Sequence, residues 1–181
     1  MSTHLWPFIV LDGNDIKERK EALKKIFLVN YVRDEQGNKI VIVNWEGKVV
    51  HFNEHIFEHA FSESSNYRYS YGIHNNPLSE RRAARILWIK EVLLASGCVV
   101  EVYGHMQRDS RGRTKKRRVL LVTEEKYVVV LEVRNNCEYD FITAYPADDN
   151  YINEKKRTKD WKLLEIKGVL SNVVDGGYPS A

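Results

Sequence analysis

Residues 118–145 read R-V-L-L-V-T-E-E-K-Y-V-V-V-L-E-V-R-N-N-C-E-Y-D-F-I-T-A-Y. Three runs rich in Val, Leu, Ile and Tyr are separated by polar breaks at Glu124 with Glu125 and at 134–138. β-Branched and aromatic residues suit a pleated, half-buried surface, and short polar breaks suit tight hairpins. The stretch therefore predicts three antiparallel strands over 117–123, 126–133 and 139–145. Upstream, 99–103 supplies a fourth strand. The segment from Arg108 to Arg118 reads as the long basic loop that joins it to the next.

Before the first of these strands the hydrophobic period is helical. Ser79 is a good N-cap. From 80 to 95 the apolar residues Ala83, Ala84, Ile86, Leu87, Ile89, Val92, Leu93 and Leu94 recur at helical spacing, and Gly97 ends the run. A shorter helix over 54–61, capped by Asn53, precedes it across a polar loop, 62–77, in which Tyr67, Tyr69 and Tyr71 alternate. The order helix, helix, four strands predicts an α+β domain over 48–150. Its two N-terminal helices pack on a four-stranded antiparallel β-meander. Residues 1–47 read as an N-terminal extension. In it Asn14 caps a helix over 15–27, and a strand over 39–43 turns at 44–47 to meet another at 48–52. Residues 151–181 read as a tail with a helix or an edge strand.

A chain of 181 residues with 43% hydrophobic and 29% charged residues carries enough apolar material for a core, which excludes wholesale disorder. No apolar run approaches the ~18 residues that span a bilayer, and no secretory leader or membrane partner is expected. Two cysteines, Cys98 and Cys137, make no disulfide framework, so a reducing cytoplasmic setting is the expectation. The formal net charge is only +3. Arg108, Arg111, Arg113, Lys115, Lys116, Arg117 and Arg118 nevertheless crowd one segment, opposed there by Asp109 alone. Such concentration on an otherwise slightly acidic body points to a polyanion, or to a merely solvated loop.

The chemistry-bearing residues narrow the choice. His55, Glu58 and His59 fit the order H-x-x-E-H, which can grip zinc, but no third ligand announces itself. No G-x-G-x-x-G, Walker or G-x-S-x-G pattern occurs, and no cofactor is expected. RNA cleavage without metal fits better, because RNA brings its own nucleophile, the 2′-OH. The protein need only move two protons and stabilise charge on phosphorus. His55 and His59 share a helix face and suit the proton transfers. Arg82 and Arg85, with Arg81, oppose the dipole at a helix start and, unless paired with Glu80 or Glu58, call for an anion; a solvated face is the alternative. Thr143 and Tyr145, two apart, project from one sheet face.

Three stretches carry a resemblance: V-H-F-N-E-H-I-F-E-H-A-F (50–61), S-E-R-R-A-A-R-I-L-W-I-K (79–90) and F-I-T-A-Y-P (141–146). Together they resemble the phage and mobile-element branch of the BECR nucleases, the superfamily of barnase, EndoU, the colicin-type tRNases and RelE. The resemblance implies a toxin-type endoribonuclease that leaves 2′,3′-cyclic phosphate without metal. It implies His59, then His55, as acid–base groups, Arg85 with Arg82 on the phosphate, and Thr143 and Tyr145 positioning the scissile group. It implies RNA, tRNA or mRNA, as partner along Arg111, Arg113, Lys115, Lys116, Arg117 and Arg118, and an inhibitory antitoxin or immunity protein. A non-catalytic RNA- or DNA-binding module on the same scaffold is the alternative. A second, separate histidine is not placed, because His74 and His105 both read as lying in or beside loops.

Overall fold

The structure, a computed structural model, describes residues 4–11, 13, 15–63, 77–135 and 137–168. Among them the strands are β1 (Ile42–Val43), β2 (Val49–His51), β3 (Val100–Arg108), β4 (Thr114–Val122), β5 (Tyr127–Asn135), β6 (Glu138–Pro146) and β7 (Lys162–Lys167). The α-helices are α1 (Ile16–Phe27), α2 (Ile56–Ala60), α3 (Glu80–Ala83), α4 (Trp88–Leu94) and α5 (Asp149–Arg157), with one π turn at Leu28–Val32.

This corrects the expected architecture of two helices on a four-stranded meander. The described residues form five α-helices and one mixed seven-stranded sheet in the order β1-β2-β6-β5-β4-β3-β7. The antiparallel run β3 to β6 is only its centre. β2 adds in parallel to Glu138–Asp140 of β6, and β7 adds antiparallel to β3. Pairings between segments so far apart leave no local period to read. In β7 every residue is exposed, so no inside–outside alternation marks it.

Two further expectations change. The helix expected over 80–95 is interrupted between α3 and α4. The buried Tyr31 hydroxyl donates to the Ile86 carbonyl at 2.7 Å, and the Tyr127 hydroxyl donates to the Arg85 carbonyl at 3.2 Å. The turn tightens there to three-residue bonds, Arg85 N–H to Arg82 O and Trp88 N–H to Arg85 O, the latter carbonyl accepting from Tyr127 as well. The basic segment 108–118 is no long loop either. β3 and β4 run through most of it and meet at a tight turn, where the Asp109 carboxylate accepts from the N–H groups of Arg111 and Arg113. Gly112 supplies the left-handed φ of 74° that this turn requires. The cap of α1 is Asp15, accepting from Lys17 N–H at 3.1 Å. Asn14, Tyr67, Tyr69, Tyr71 and His74 lie outside the described residues.

The main core fills one face of the sheet. Phe27 and Tyr31 from the N-terminal segment, Phe57 from α2, and Ile89 and Leu93 from α4 pack there on Val129, Leu131 and Phe141. A smaller cluster lies on the opposite face, where Ile152 of α5 and Trp161 cover Val119, Leu121, Val128 and Val130. Tyr31→Phe is expected to lower stability by about 1–3 kcal/mol, because it leaves the buried Ile86 carbonyl unpaired. Urea unfolding of both proteins measures the difference.

Candidate functional site

The smaller cluster leaves part of the second sheet face open, and the strand register decides what stands there. His105 pairs with Arg117 across β3 and β4, and Arg117 pairs with Glu132 on β5. Directly paired residues share a face, with Cβ atoms about 5 Å apart. Val130 pairs with Thr143 and Val128 with Tyr145, so β6 presents both hydroxyls to that face. A register shift in β6 between Phe141 and Thr143 lets Phe141 point into the main core while Thr143 faces the other way.

Two cavities open here and share Arg117. One, of about 160 Å³, is lined by His105, Arg117, Thr143, Tyr145, Tyr151 and Lys155, among others. The other, of about 420 Å³, is lined by His51, His55, His59, Arg117, Asp140 and Ile142, among others. β2 stops pairing at Asp140, and α2 then packs along β6, which brings its histidines to this side.

Several polar atoms in the smaller cavity are prepared for a ligand. His105 Nδ1 lies 2.9 Å from the Asp160 carbonyl oxygen. A carbonyl only accepts, so Nδ1 carries the proton, and Nε2 of the neutral ring keeps its lone pair. The Arg117 Nε and the Thr143 Oγ1 are buried without a hydrogen-bond partner among the described residues. Buried polar atoms are ordinarily paired, so two orphans in one cavity mark a place for an acceptor from outside. Arg117 is partly balanced by Glu132, with Nη2 to carboxylate 3.6 Å, and desolvation lowers its pKa. The Tyr145 hydroxyl lies 3.1 Å from that of Tyr151, and burial pushes its pKa far up, so it remains a phenol. Lys155 is held by Asp160 at 3.0 Å, and that contact raises its pKa.

The residues singled out from sequence divide accordingly. Thr143 and Tyr145 line the smaller cavity, and His55 and His59 line the larger one. Arg82 reaches the same region, donating to the Ala60 carbonyl at 3.1 Å and lying 5.5 Å from the Tyr145 ring centre. Arg85 does not. Its guanidinium sits over Phe8 and Trp88, at 4.7 and 5.0 Å from their ring centres. Lys115 and Arg117 both face Glu132, whereas Lys116 and Arg118 fall on the other side of β4 by alternation. Arg111 and Arg113 sit at the hairpin tip, where Arg113 pairs with Asp109 at 2.8 Å. Glu58 of the H-x-x-E-H pattern pairs with Lys20 at 2.6 Å. No cluster of three or more His, Cys, Asp or Glu suited to a metal ion occurs among the described residues.

Sequence reasoning missed His105 because the strand expected over 99–103 stops short of it, whereas β3 runs on to Arg108. The signal was there: Tyr103, His105 and Gln107 continue the period of two. It also missed Tyr151 and Lys155, which reach the cavity from α5. Comparison with protein-family models, curated proteins and solved structures returned no match.

Proposed function

We propose that the chain is a metal-independent endoribonuclease whose acid–base centre is His105 beside Arg117. The observation that carries this reading is the imidazole fixed by the Asp160 carbonyl, with its other nitrogen unpartnered among the described residues and a half-buried guanidinium as its cross-strand partner. His105 Nε2 removes the proton of a ribose 2′-OH. The 2′-oxygen then bonds to phosphorus, and the bond from phosphorus to the 5′-oxygen breaks. Arg117 and the Thr143 hydroxyl stabilise the charge that builds on the phosphoryl oxygens. His59, across Arg117 in the larger cavity, returns a proton to the leaving 5′-oxygen. One proton is taken and one is given, and the products carry a 2′,3′-cyclic phosphate and a 5′-OH.

The BECR resemblance supports the same product and extends the proposal to tRNA or mRNA as substrate and to an inhibitory antitoxin or immunity protein. No described helix is long and apolar enough to cross a membrane. Cys98 is buried and Cys137 exposed, both as free thiols, which supports a cytoplasmic setting. Burial raises the Cys98 thiol to about 11, so it is no thiolate nucleophile at neutral pH.

The test is incubation of the purified protein with total RNA in EDTA. Discrete fragments with cyclic phosphate ends are expected. Intact RNA that still binds would overturn catalysis in favour of a binding module. Two arginine variants sharpen the result. Arg82→Ala should lower kcat roughly tenfold or more, because Tyr145 and the end of α2 lose their support. Arg85→Ala should cleave normally while melting earlier.

A further inference from the structure

We propose that the protein grips RNA at a second place, the outer face of the β3–β4 ribbon, through Arg108, Lys116 and Arg118. This rests on the reading of RNA as partner but not on cleavage.

The ribbon is an arm. β3 stops pairing with β7 at Gly104, and β4 begins pairing with β5 only at Arg117. Beyond those points Met106–Arg108 and Thr114–Lys116 pair with each other alone among the described strands. Four residues beyond Gly104 carry the arm about 13 Å outward at 3.3 Å per residue.

Its two faces differ in charge balance. On the inner face, which borders the cleft, His105, Gln107, Lys115 and Arg117 are half-buried. Glu132 binds both cations there, at 2.6 Å from Lys115 and 3.6 Å from Arg117. The outer face holds Met106, Arg108, Lys116 and Arg118, and the first three are exposed. None of its three cations has a carboxylate partner among the described residues. Glu46 and Glu165 share a cavity with Arg118, but Lys48 holds Glu46 at 3.0 Å, and neither Lys116 nor Arg108 lines that cavity. Apart from Arg111 at the hairpin tip, the cations of the basic segment without a carboxylate partner among the described residues therefore face away from the cleft.

A polynucleotide fits this arrangement. Lys116 and Arg118 are two residues apart on one strand, about 7 Å, which is close to every second phosphate of a strand rising 3.4 Å per nucleotide. Arg108 extends the stripe diagonally onto β3. A chain leaving the cleft past Arg117 meets the arm at once and can run round it onto the outer face. The inner face then positions the scissile phosphate, and the outer face supplies affinity through flanking phosphates.

The test uses a 2′-O-methyl RNA hairpin with a single-stranded tail, which has no free 2′-OH and cannot be cleaved. Its affinity for the full chain is measured by fluorescence anisotropy across a salt series. The Arg108→Ala/Lys116→Ala/Arg118→Ala protein should bind at least tenfold more weakly at low salt. Its slope of log K against log salt should be shallower by about 2, as loss of three phosphate contacts on a single strand requires. With cleavable RNA its KM should rise at unchanged kcat. The control Lys17→Ala/Lys25→Ala/Lys39→Ala removes as much charge from exposed sites elsewhere and should keep the wild-type slope. Equal slopes for the two triple variants would overturn the proposal. So would an outer-face variant that keeps its RNA slope but loses binding to vesicles of anionic lipid. A protein that never cleaves RNA, yet loses this slope with the outer face, would refute the nuclease reading and leave the arm standing.

Discussion

In the His105→Ala protein, kcat for RNA cleavage is expected to fall by about 10²–10⁴-fold, the usual contribution of a positioned acid–base group. Affinity for an uncleavable RNA should stay close to that of the wild type, because the outer cations are untouched. His105→Asn separates proton transfer from architecture. Its amide can still donate to the Asp160 carbonyl that receives Nδ1–H at 2.9 Å, so the tie from β3 to the segment before β7 survives. It offers no basic nitrogen to the cleft, and it should be as inactive as the alanine protein while melting like the wild type. Added imidazole should restore part of the activity of His105→Ala, since a small base can enter the space left by the ring. A substrate with a strongly acidic leaving group divides the two histidines further. It needs no proton on departure, so His59→Ala should cleave it almost normally, whereas His105→Ala should remain impaired. A His105→Asn protein with wild-type kcat would reduce the histidine to a strut between β3 and the α5–β7 connection.

The meander was legible because β3 to β6 carry their own evidence: Val128, Val129, Val130 and Leu131 are all fully or almost fully buried, and uninterrupted apolar runs of that length read as strands covered on both faces. The turn at 44–47 was legible for a similar reason, since Asn44 accepts the N–H groups of Glu46 and Lys48 within four residues. What failed depended on distant partners. Nothing near 80–95 announces that Tyr31 and Tyr127 will take the carbonyls of Ile86 and Arg85. Nothing near Arg85 says that Phe8 and Trp88 will cover it while Arg82 turns to Tyr145. The hydroxyl pair Thr143 and Tyr145 could be placed on one face from spacing alone, and both do line one cavity. The basic segment reads as a loop because no apolar residue lies between Met106 and Val119. An arm with one exposed and one half-buried face shows little apolar alternation, and the period of two survives there only in Tyr103, His105 and Gln107.

The largest loss of stability should come from Phe27→Ala, a residue in the segment read as an N-terminal extension. Phe27 is fully buried. Its ring lies 5.6 to 6.4 Å from those of Tyr31, Phe52, Phe57, Phe61 and Phe141, so one side chain joins α1, α2 and β6. Truncation removes the apolar transfer energy and leaves a cavity that five rigid rings cannot close, and the expected cost is about 3–5 kcal/mol. Domains of this kind hold only about 5–15 kcal/mol in total, so urea unfolding should begin at much lower concentration. Ile16→Ala, in the same helix but 57% exposed, is the control and should change stability by no more than about 0.5 kcal/mol. The effect should also reach the cleft. Phe141 precedes Ile142 and Thr143 on β6, and Phe57 anchors the helix that carries His59, so a slack core lets both cavity walls drift. Under conditions where Phe27→Ala is still folded, kcat should fall while the salt slope of RNA binding, set on the distant arm, stays unchanged. Equal urea midpoints for Phe27→Ala and the wild type would mean that α1 is an appendage, and that the cleft stands on the sheet and α2 alone.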